Sequence, residues 1–409
     1  LLPAGVEIIL DLSRLMSRIL HPMPTGIDRV ELVYARTLLT LVPEQLHFAA
    51  VNPFGFYGRL PREAVVHFLD EIEARWANET ARPRRAMFAG AARTLTRLRP
   101  RRVPKAVEGI RRYYVQASPH HLDNEDRVAA KLRIENARFI ALVHDLIPIE
   151  YPEYARPNGA ATHIRRIRTM ADLASGLIAN SGSTAQSMAR FLGESGAGPL
   201  IRVAHLGSDP LPEGSDPSPI VQPYFVVLST IEPRKNHLLL LNIWRRMIET
   251  LGPERTPHLA IIGRRGWENE NVVDMLERST AIQGHIHEFS GLSDRMVGTL
   301  LRRARALLCP SFAEGFGMPV TEALLCGTPV ICSDLPALRE AGGSVPDFID
   351  PLDGPEWIKA IMDYSVDAPG RRSQQIARLD GWTPPSWQGH IETVLKLIAD
   401  IDLNGNARA

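Results

Sequence analysis

The sequence predicts an α/β protein of two domains, each with a parallel sheet covered by helices on both faces. The chain has 409 residues, which is too long for one ordinary core and suits two. Short apolar strand patterns alternate with amphipathic helix patterns along the whole chain, and this alternation favours parallel sheets. A segment at 210–223 holds five prolines and a glycine among short polar residues, as linkers do.

The N-terminal part begins with an apolar strand pattern and continues with a helix. Apolar residues recur at helical spacing over 26–41, which indicates an amphipathic helix. Ser183 is a suitable N-cap for a later helix over 183–191. The predicted strands of this part are 6–12, 138–143 and 176–179.

After the proline-rich segment a second alternation of strands and helices begins. The predicted strands are 224–229, 259–263, 285–289, 306–309 and 329–333. The predicted helices are 237–251, 272–278, 294–306 and 319–326. We therefore place an N-terminal domain at 1–209, a linker at 210–223, a C-terminal domain at 224–385, and a final helix at 386–409 that crosses back to the N-terminal domain. Ligands of parallel sheets bind beyond the carboxyl ends of the strands, so chemistry is expected in the loops there.

Composition limits the partners and the compartment. The formal net charge is +1, so the molecule as a whole carries no strong field. The longest apolar runs are strand-sized, well short of the roughly 20 residues that a transmembrane helix needs. The three cysteines have no framework or zinc-site spacing, so we expect reduced thiols in a cytoplasmic protein and no metal at these residues.

The loop after the predicted strand 306–309 has the composition of an anion site. Glycines allow a ligand to approach the backbone closely, and Pro319 suits the first turn of a helix. The amides and the positive dipole end at such a helix start favour a diphosphate. The predicted donor-binding backbone consists of Gly315, Phe316, Gly317 and Met318.

Two carboxylates bracket this loop, Glu314 before it and Glu322 within the helix. Carboxylates would repel phosphates, so we expect them to accept hydrogen bonds from neutral hydroxyls. Glu314 would hold the transferred group and Glu322 a ribose. The alternative is a glycine turn with two solvated glutamates.

A basic pair follows the first strand of the C-terminal domain. Arg234 and Lys235 lie at a strand end, where fixed cations would stabilise the charge that develops on a leaving diphosphate. Arginine can bind phosphate with two donors, whereas lysine acts as a point charge. The alternative is a pair of solvated charges at a helix start.

These motifs together resemble the signature of retaining glycosyltransferases of family four. The resemblance rests on 314–319, on Glu322-Ala323, on 327–330 and on 232–236. It implies the GT-B architecture, in which two Rossmann-like domains with parallel sheets face each other across a cleft. The C-terminal domain would bind the nucleotide sugar and the N-terminal domain the acceptor.

The resemblance also assigns roles to individual residues. Lys235 would contact the donor phosphates, His144 the donor sugar near its reacting carbon, and the loop at Gly26 the diphosphate. Many relatives carry an arginine where this chain has Ser229, so Arg234 is the substitute cation. Two neighbours of these residues keep alternative interpretations. Asp145 would orient the His144 imidazole or bind acceptor, and Asn180-Ser181 would match a family element or be a plain helix cap.

The predicted function is a retaining, metal-independent transfer of a hexose from a nucleotide-diphosphate sugar, with no cofactor required. Its catalytic residues would be His144, Arg234, Lys235 and Glu314. Resemblance to bacterial polysaccharide mannosyltransferases favours mannose from GDP-mannose, with a glycan or lipid-linked acceptor in bacterial surface polysaccharide synthesis. The alternatives are a GT-B sugar-nucleotide epimerase and an inactive nucleotide-sugar-binding relative, which Ser229 favours.

A basic segment at 82–112 carries eleven Lys and Arg residues against Glu108 alone. One interpretation is an anionic membrane surface, which would hold the enzyme at the inner face of the cytoplasmic membrane near a lipid-linked acceptor. Another is a mobile solvated insertion. Nucleic acid would also attract the charge, but no recognisable nucleic-acid module accompanies it, so we expect no nucleic-acid partner.

Overall fold

The computed structural model describes residues 2–21, 23–77, 84–193, 198–214, 217–366 and 369–406. The chain divides into two compact units. Unit 1 comprises Leu1–Ile149, Asn158–Gly207 and Ser386–Ala409. Unit 2 comprises Glu150–Pro157 and Ser208–Pro385. Each unit is built on its own sheet.

The sheet of unit 1 has the strand order β3-β2-β1-β4-β5-β6-β7. Its strands are β1 Val6–Asp11, β2 Leu46–Val51, β3 Tyr57–Leu60, β4 Arg111–Gln116, β5 Ala137–Val143, β6 Ala174–Ala179 and β7 Leu200–Val203. Neighbouring strands are parallel except at one edge, where β2 and β3 form an antiparallel pair. The order reverses between β1 and β4, which makes the ends of these two strands the topological switch point.

The sheet of unit 2 has the order β10-β9-β8-β11-β12-β13, and all of its pairs are parallel. Its strands are β8 Tyr224–Leu228, β9 His258–Ile262, β10 Ile286–Phe289, β11 Leu307–Cys309, β12 Val330–Ser333 and β13 Asp347–Ile349. The order reverses between β8 and β11. The basic pair and the glycine loop follow these two strands, so the topology brings their loops to one edge of the sheet.

Helices connect the strands in both units and bury their apolar faces against the sheets. They are α1 Ser13–Ser17, α2 Gly26–Leu41, α3 Arg62–Ala77, α4 Arg84–Arg97, α5 Glu125–Glu135, α6 Ile147–Glu150, α7 Gly159–Leu173, α8 Gly182–Leu192, α9 His237–Leu251, α10 Glu270–Arg278, α11 Asp294–Arg303, α12 Met318–Leu325, α13 Pro336–Gly342, α14 Gly354–Ser365, α15 Arg371–Leu379 and α16 Trp387–Asn406. The predicted α/β class with parallel sheets is therefore confirmed. Among the described helices, none has both the length and the apolar character needed to cross a bilayer.

Each unit has a separate apolar core. The core of unit 1 includes Tyr114 of β4 and Phe139 of β5. The core of unit 2 is built around Phe225, Trp244 and Trp357, all fully buried. The final helix α16 belongs to unit 1, where the Tyr34 hydroxyl of α2 donates a 2.6 Å hydrogen bond to Nε2 of His390, whose Nδ1–H is bound to the Ala204 carbonyl.

Residues 150–157 depart from the expected division of the chain. The sequence placed them in an N-terminal domain, whereas the structure includes them in unit 2. There the Tyr154 ring stacks on Phe312 with 5.9 Å between centroids, and the Trp267 indole N–H donates to the Tyr154 carbonyl at 2.9 Å. The Arg156 guanidinium lies over the Trp267 ring at 4.5 Å. Aromatic and cation–π contacts hold this segment.

The proline-rich segment also differs from a free linker, because unit 2 begins at Ser208 and includes it. Arg302 of α11 donates to the carbonyls of Leu211 and Pro212, and Arg295 donates to the carbonyl of Glu213. Since prolines lack an amide hydrogen, carbonyls are the groups such a segment offers for binding. Two arginines of one helix therefore fix its first residues.

Gly263 tests how closely the ends of β8 and β9 pack. A Cβ at this position would lie 1.9 Å from the Ser229 carbonyl oxygen, which is backbone that a rotamer change does not move. We expect Gly263→Ala to lower the free energy of unfolding by about 2 kcal/mol, measured by urea denaturation. Gly381→Ala is the matched control, because nothing lies within 4 Å of its added Cβ. Equal midpoints for the two variants would contradict the close packing.

Candidate functional site

The basic pair is presented by a short turn after β8. Residues Pro233–Lys235 form a 3-10 turn, and Asn236 follows with a φ of 56°. Asparagine tolerates this left-handed conformation better than most residues. The Asn236 side-chain amide donates to the Pro351 carbonyl at 3.1 Å. The turn is therefore held at both its backbone and its side chain before α9 begins.

Glu314 accepts hydrogen bonds from both basic residues. Its Oε1 lies 2.6 Å from Lys235 Nζ, and its Oε2 lies 2.9 Å from Arg234 Nη1. The Ser311 hydroxyl donates to the same Oε1 at 2.7 Å. The Phe312 amide also donates to the Arg234 carbonyl at 2.8 Å, which joins the two loops through their backbones. Three residues that the sequence singled out, Arg234, Lys235 and Glu314, thus form one cluster.

The cluster is largely shielded from water. The side chains of Glu314 and Lys235 are 7% and 10% exposed, and that of Arg234 is 22% exposed. Burial disfavours the ionised carboxyl, but the nearby charges of Lys235 and Arg234 outweigh it and hold the pKa of Glu314 at about 2. Glu314 is therefore an anion at neutral pH.

A second carboxylate balances the charges. Arg234 Nε lies 2.7 Å from Glu232 Oε1, and Arg234 Nη1 also donates to the Ala313 carbonyl. In these ion pairs of described residues, two cations face two anions, so the formal charges of the four side chains balance. This balance was not foreseen from the sequence, although the acidic residue two positions before Arg234 was a visible signal.

The glycine loop leads directly from Glu314 into α12. Gly317 is the N-cap residue with a φ of 115°, a conformation that favours glycine. A Cβ there would lie 2.6 Å from Leu338 Cδ2, so the loop also packs tightly on α13. Phe316 is 2% exposed, so its ring packs inside unit 2 and is not a surface for a ligand. Helix α12 begins at Met318, one residue before the predicted start, and Pro319 occupies its first turn.

Glu322 lies in the second turn of α12 and is half-buried. It is separated in sequence from the Glu314 cluster by the glycine loop. Its role at a ribose stays a prediction.

The cavity beside Lys235 is small. Its lining includes Ser229, Lys235, Ser311 and Pro319, and its volume is about 10 Å³. That volume holds about one water molecule. This cavity as it stands is therefore too small for a diphosphate.

Ser229, where many relatives carry an arginine, faces a histidine. Its hydroxyl lies 3.3 Å from His237 Nε2. Burial and the Lys235 charge lower the pKa of His237 to about 4, so this ring is neutral at pH 7. Ser229 therefore faces a neutral ring, and the role of Arg234 as the substitute cation stays a prediction.

His144 lies in unit 1 at the carboxyl end of β5. Its Nε2 is 2.7 Å from the Ala117 carbonyl oxygen. A carbonyl can only accept, so Nε2 carries the hydrogen and Nδ1 is the acceptor of the neutral ring. Burial lowers the pKa of His144, which favours this neutral form.

Asp145 and the pair Asn180-Ser181, which had alternative interpretations, each form hydrogen bonds close to His144 or within their own segment. Asp145 Oδ1 accepts from the Ile147 amide at 3.1 Å, and its charge also acts on the His144 imidazole, whose Nε2 is bound to the Ala117 carbonyl. The Asn180 side-chain amide donates to the His144 carbonyl at 2.7 Å. Ser181, and not the predicted Ser183, is the N-cap of α8, since its hydroxyl accepts from the Thr184 amide. Asn180 thus helps to fix the His144 backbone, while Ser181 caps a helix.

Gly26 is the first residue of α2, directly after a tightly bonded N-cap. Thr25 and Asp28 form a capping box. The buried Asp28 carboxylate also binds Arg14 and Arg18, each at 2.7 Å. The Arg14 charge contributes to lowering the pKa of His144. The Arg14 charge therefore acts both on the capping box beside Gly26 and on His144.

A buried polar network at the ends of β1 and β4 escaped the sequence analysis. Asp11, the last residue of β1, accepts from the Tyr114 hydroxyl and lies 3.0 Å from Lys131 Nζ. Glu31 of α2 is fully buried, and its burial and the Asp11 charge raise its pKa to about 8. An aspartate at the end of an apolar strand was the available signal. The described residues, this network included, contain no group of three or more His, Cys, Asp and Glu side chains arranged to hold a metal ion.

The fold of the two units is GT-B. Similar solved structures include Anabaena Alr3699/HepE in complex with UDP, with a TM-score of 0.60, 14% identity, and coverage of 97% of this chain and 100% of that chain. Sucrose-phosphate synthase from Thermosynechococcus elongatus has a TM-score of 0.61 and 15% identity over 98% of this chain and 100% of that chain. At such identities the likeness shows the fold alone.

Sequence comparison adds a family-model match over the segment that holds the cluster. Residues 216–343 match the family model described as Glycosyl transferases group 1. The chain is 27% identical to serotype-specific mannosyltransferase WbdA of Escherichia coli, over 57% of this chain and 30% of that protein. It is 38% identical to O-antigen chain mannosyltransferase B of Escherichia coli, over 32% of this chain and 34% of that protein. The chain thus spans about a third of the length of these relatives. The resemblance to GT-B glycosyltransferases of polysaccharide assembly is confirmed.

Glu314→Gln tests the electrostatics of the cluster. The pKa of Glu314 is about 2 in the folded protein, against an ordinary value of 4.5. The ionised carboxylate therefore contributes its full stabilisation of the fold above about pH 5, and this contribution is lost as the pH falls from 4.5 towards 2. The variant leaves two cations with one counter-charge, so we expect a loss of about 3 kcal/mol at pH 7 in urea denaturation. The difference in the free energy of unfolding between the variant and the wild type should become smaller below pH 4.5.

The exposed carboxyl of Glu254 provides the matched control, and Glu254→Gln should follow the wild type at every pH. If the loss of unfolding free energy in Glu314→Gln stayed constant from neutral pH down to about pH 3, the assignment of an ionised, paired carboxylate would be contradicted.

Proposed function

We propose that the protein is a retaining glycosyltransferase that transfers mannose from GDP-mannose to a glycan or lipid-linked acceptor in bacterial surface polysaccharide synthesis. The observation that carries this proposal is the contact of Glu314 with Lys235 and Arg234 directly before α12, inside the segment that matches the family. The names of the relatives support mannose. The nucleotide-sugar complexes of the structural neighbour, with UDP and with UDP-glucose, support a nucleotide-sugar donor.

In the proposed reaction the donor diphosphate binds at the start of α12, where backbone amides and the helix dipole favour an anion. Lys235 and Arg234 stabilise the negative charge that develops on the diphosphate as the glycosidic bond breaks. Glu314 already holds both cations in fixed positions, so little reorganisation accompanies bond cleavage. The acceptor hydroxyl attacks from the side of the leaving group, and its proton passes to a phosphate oxygen. Neither a metal nor another cofactor takes part.

Glu314 has a second proposed role at the sugar. An ionised carboxylate offers about four acceptor positions. Lys235 and Ser311 use Oε1, whereas Arg234 uses Oε2. Oε2 therefore keeps a position for a hydroxyl of the transferred hexose, as the sequence motif predicts.

The proposed roles of His144 and Glu322 follow from their hydrogen-bonding capacity. With Nε2–H bound to the Ala117 carbonyl, His144 can accept a sugar hydroxyl hydrogen at Nδ1. Glu322 accepts from the ribose hydroxyls, and Gly26 lets the diphosphate approach the start of α2. The protein acts in the cytoplasm, at the inner face of the membrane that carries lipid-linked acceptors.

Lys235→Ala tests the role of the cation. Removing one preorganised donor to a developing anion typically costs about 2.7–4 kcal/mol, so kcat should fall by about 10²–10³. Steady-state kinetics with a saturating donor measure the effect. Lys359→Ala, which removes an exposed lysine of α14, should leave kcat unchanged. Wild-type turnover in Lys235→Ala would remove this residue from the mechanism.

A donor panel tests the reaction itself. Incubation with GDP-mannose and a mannose-terminated glycan should release GDP only when the acceptor is present, and NMR of the product should show the α-anomer of the donor retained. UDP-glucose and UDP-galactose serve as comparison donors. Nucleotide release without acceptor would indicate an epimerase, and binding without turnover an inactive relative. An inverted anomer would contradict the retaining mechanism.

A further inference from the structure

The antiparallel edge of unit 1 ends in a hairpin tip with two exposed aromatic rings. Phe54 and Phe56 lie between β2 and β3 and are 80% and 69% exposed. Other large aromatic residues of unit 1, such as Phe48 and Phe68, are fully buried. Two phenylalanines two residues apart on one tip form an apolar patch, and exposed apolar patches mark interaction sites.

The backbone N–H groups of the tip find their acceptors within the tip. Asn52 Oδ1 accepts from the amides of Phe54 and Phe56 at 3.0 and 2.9 Å. The Gly55 amide donates to the Asn52 carbonyl, and the Asn52 amide donates to the Phe56 carbonyl, both at 2.9 Å. The amides between the two strands therefore need no water. Such a tip can enter the interfacial region of a bilayer without the cost of unpaired N–H groups.

Three arginines lie beside the tip. Arg99, Arg101 and Arg102 line a cavity of about 690 Å³ together with Phe54 and Phe56. Arg101 is fixed against the hairpin, because its backbone exchanges hydrogen bonds of 2.8 and 3.0 Å with Arg59 of β3. Gly58 permits this approach, since a Cβ there would lie 2.3 Å from the Arg101 carbonyl oxygen. The arginines and the phenylalanines thus share one rigid edge.

The charge of this edge is uncompensated. Residues 84–107 contain eight Lys and Arg and no Asp or Glu. Within the part of the chain that the structure describes, the side chains of Arg99, Arg101 and Arg102 form no ion pair. Arg59, by contrast, is neutralised by Glu135 at 2.7 Å. Exposed guanidinium groups of this kind bind phosphate oxygens with paired donors.

We propose that this edge binds an anionic phospholipid bilayer. Phe54 and Phe56 enter the boundary between headgroups and acyl chains, and Arg99, Arg101 and Arg102 bind lipid phosphates beside the cavity. Single-stranded nucleic acid also combines phosphates with stacking on aromatic rings. The internally bonded tip favours lipid, because stacking on bases in water does not require the amides to be satisfied. The proposal does not depend on the enzymatic reaction.

Vesicle sedimentation of the whole chain tests the proposal. Wild-type protein should bind vesicles of phosphatidylcholine with about 30 mol% phosphatidylglycerol and bind vesicles of phosphatidylcholine alone much more weakly. Replacing the arginines in R99Q/R101Q/R102Q should lower the partition coefficient at least about tenfold, since each charge contributes a factor of about five. F54S/F56S should lower it at least about tenfold through lost apolar burial.

Matched variants separate binding from misfolding. F54L/F56L keeps two apolar side chains and should bind like wild type, and R245Q/R246Q/R278Q removes three exposed arginines of unit 2 and should also bind like wild type. A wild-type protein that ignores anionic vesicles would overturn the proposal, as would equal binding by F54S/F56S. Binding of a labelled oligothymidylate that F54S/F56S abolishes, without vesicle binding, would assign the edge to nucleic acid instead.

Discussion

The contact of one buried carboxylate with two cations determines the geometry of unit 2 at its switch point. Glu314 is buried, and an isolated carboxylate there would be costly or would take up a proton. Lys235 and Arg234 remove that cost and hold its pKa at about 2. Because these residues follow two adjacent strands, β8 and β11, the contact also fixes both loops. The glycine loop and α12 continue directly from Glu314, so their position depends on the same interaction.

The basic residues of this cluster are already paired with carboxylates before any phosphate binds. A basic pair read from sequence suggests open cations, whereas here Glu232 and Glu314 neutralise Arg234 and Lys235. Fixed, paired charges are preorganised, and preorganisation is what a transition state with developing charge requires. The cavity that borders Lys235 within the described part of unit 2 has room for about one water molecule. Opening of that cavity would therefore accompany donor binding in the proposed reaction.

Local sequence patterns predicted much of the fold, but they did not predict contacts between residues that are distant in sequence. Helices α2 and α9 have the predicted bounds because apolar spacing and flanking residues are local signals. The placement of 150–157 in unit 2 depends on Phe312 and Trp267, more than 100 residues away, and no periodicity reports such contacts. For the site, the motifs identified Arg234, Lys235 and Glu314 as functional residues, but they did not predict that these residues bind one another. The hairpin tip was missed because its antiparallel edge interrupts an otherwise parallel alternation.

The most direct measurement is a crystal structure of the protein with bound GDP. The account predicts that the diphosphate lies at the start of α12, within hydrogen-bonding distance of the backbone amides of 315–318 and of the Lys235 ammonium, while Glu314 remains in contact with Arg234. A diphosphate bound away from α12, with the Glu314 cluster and its small cavity unchanged, would contradict the account.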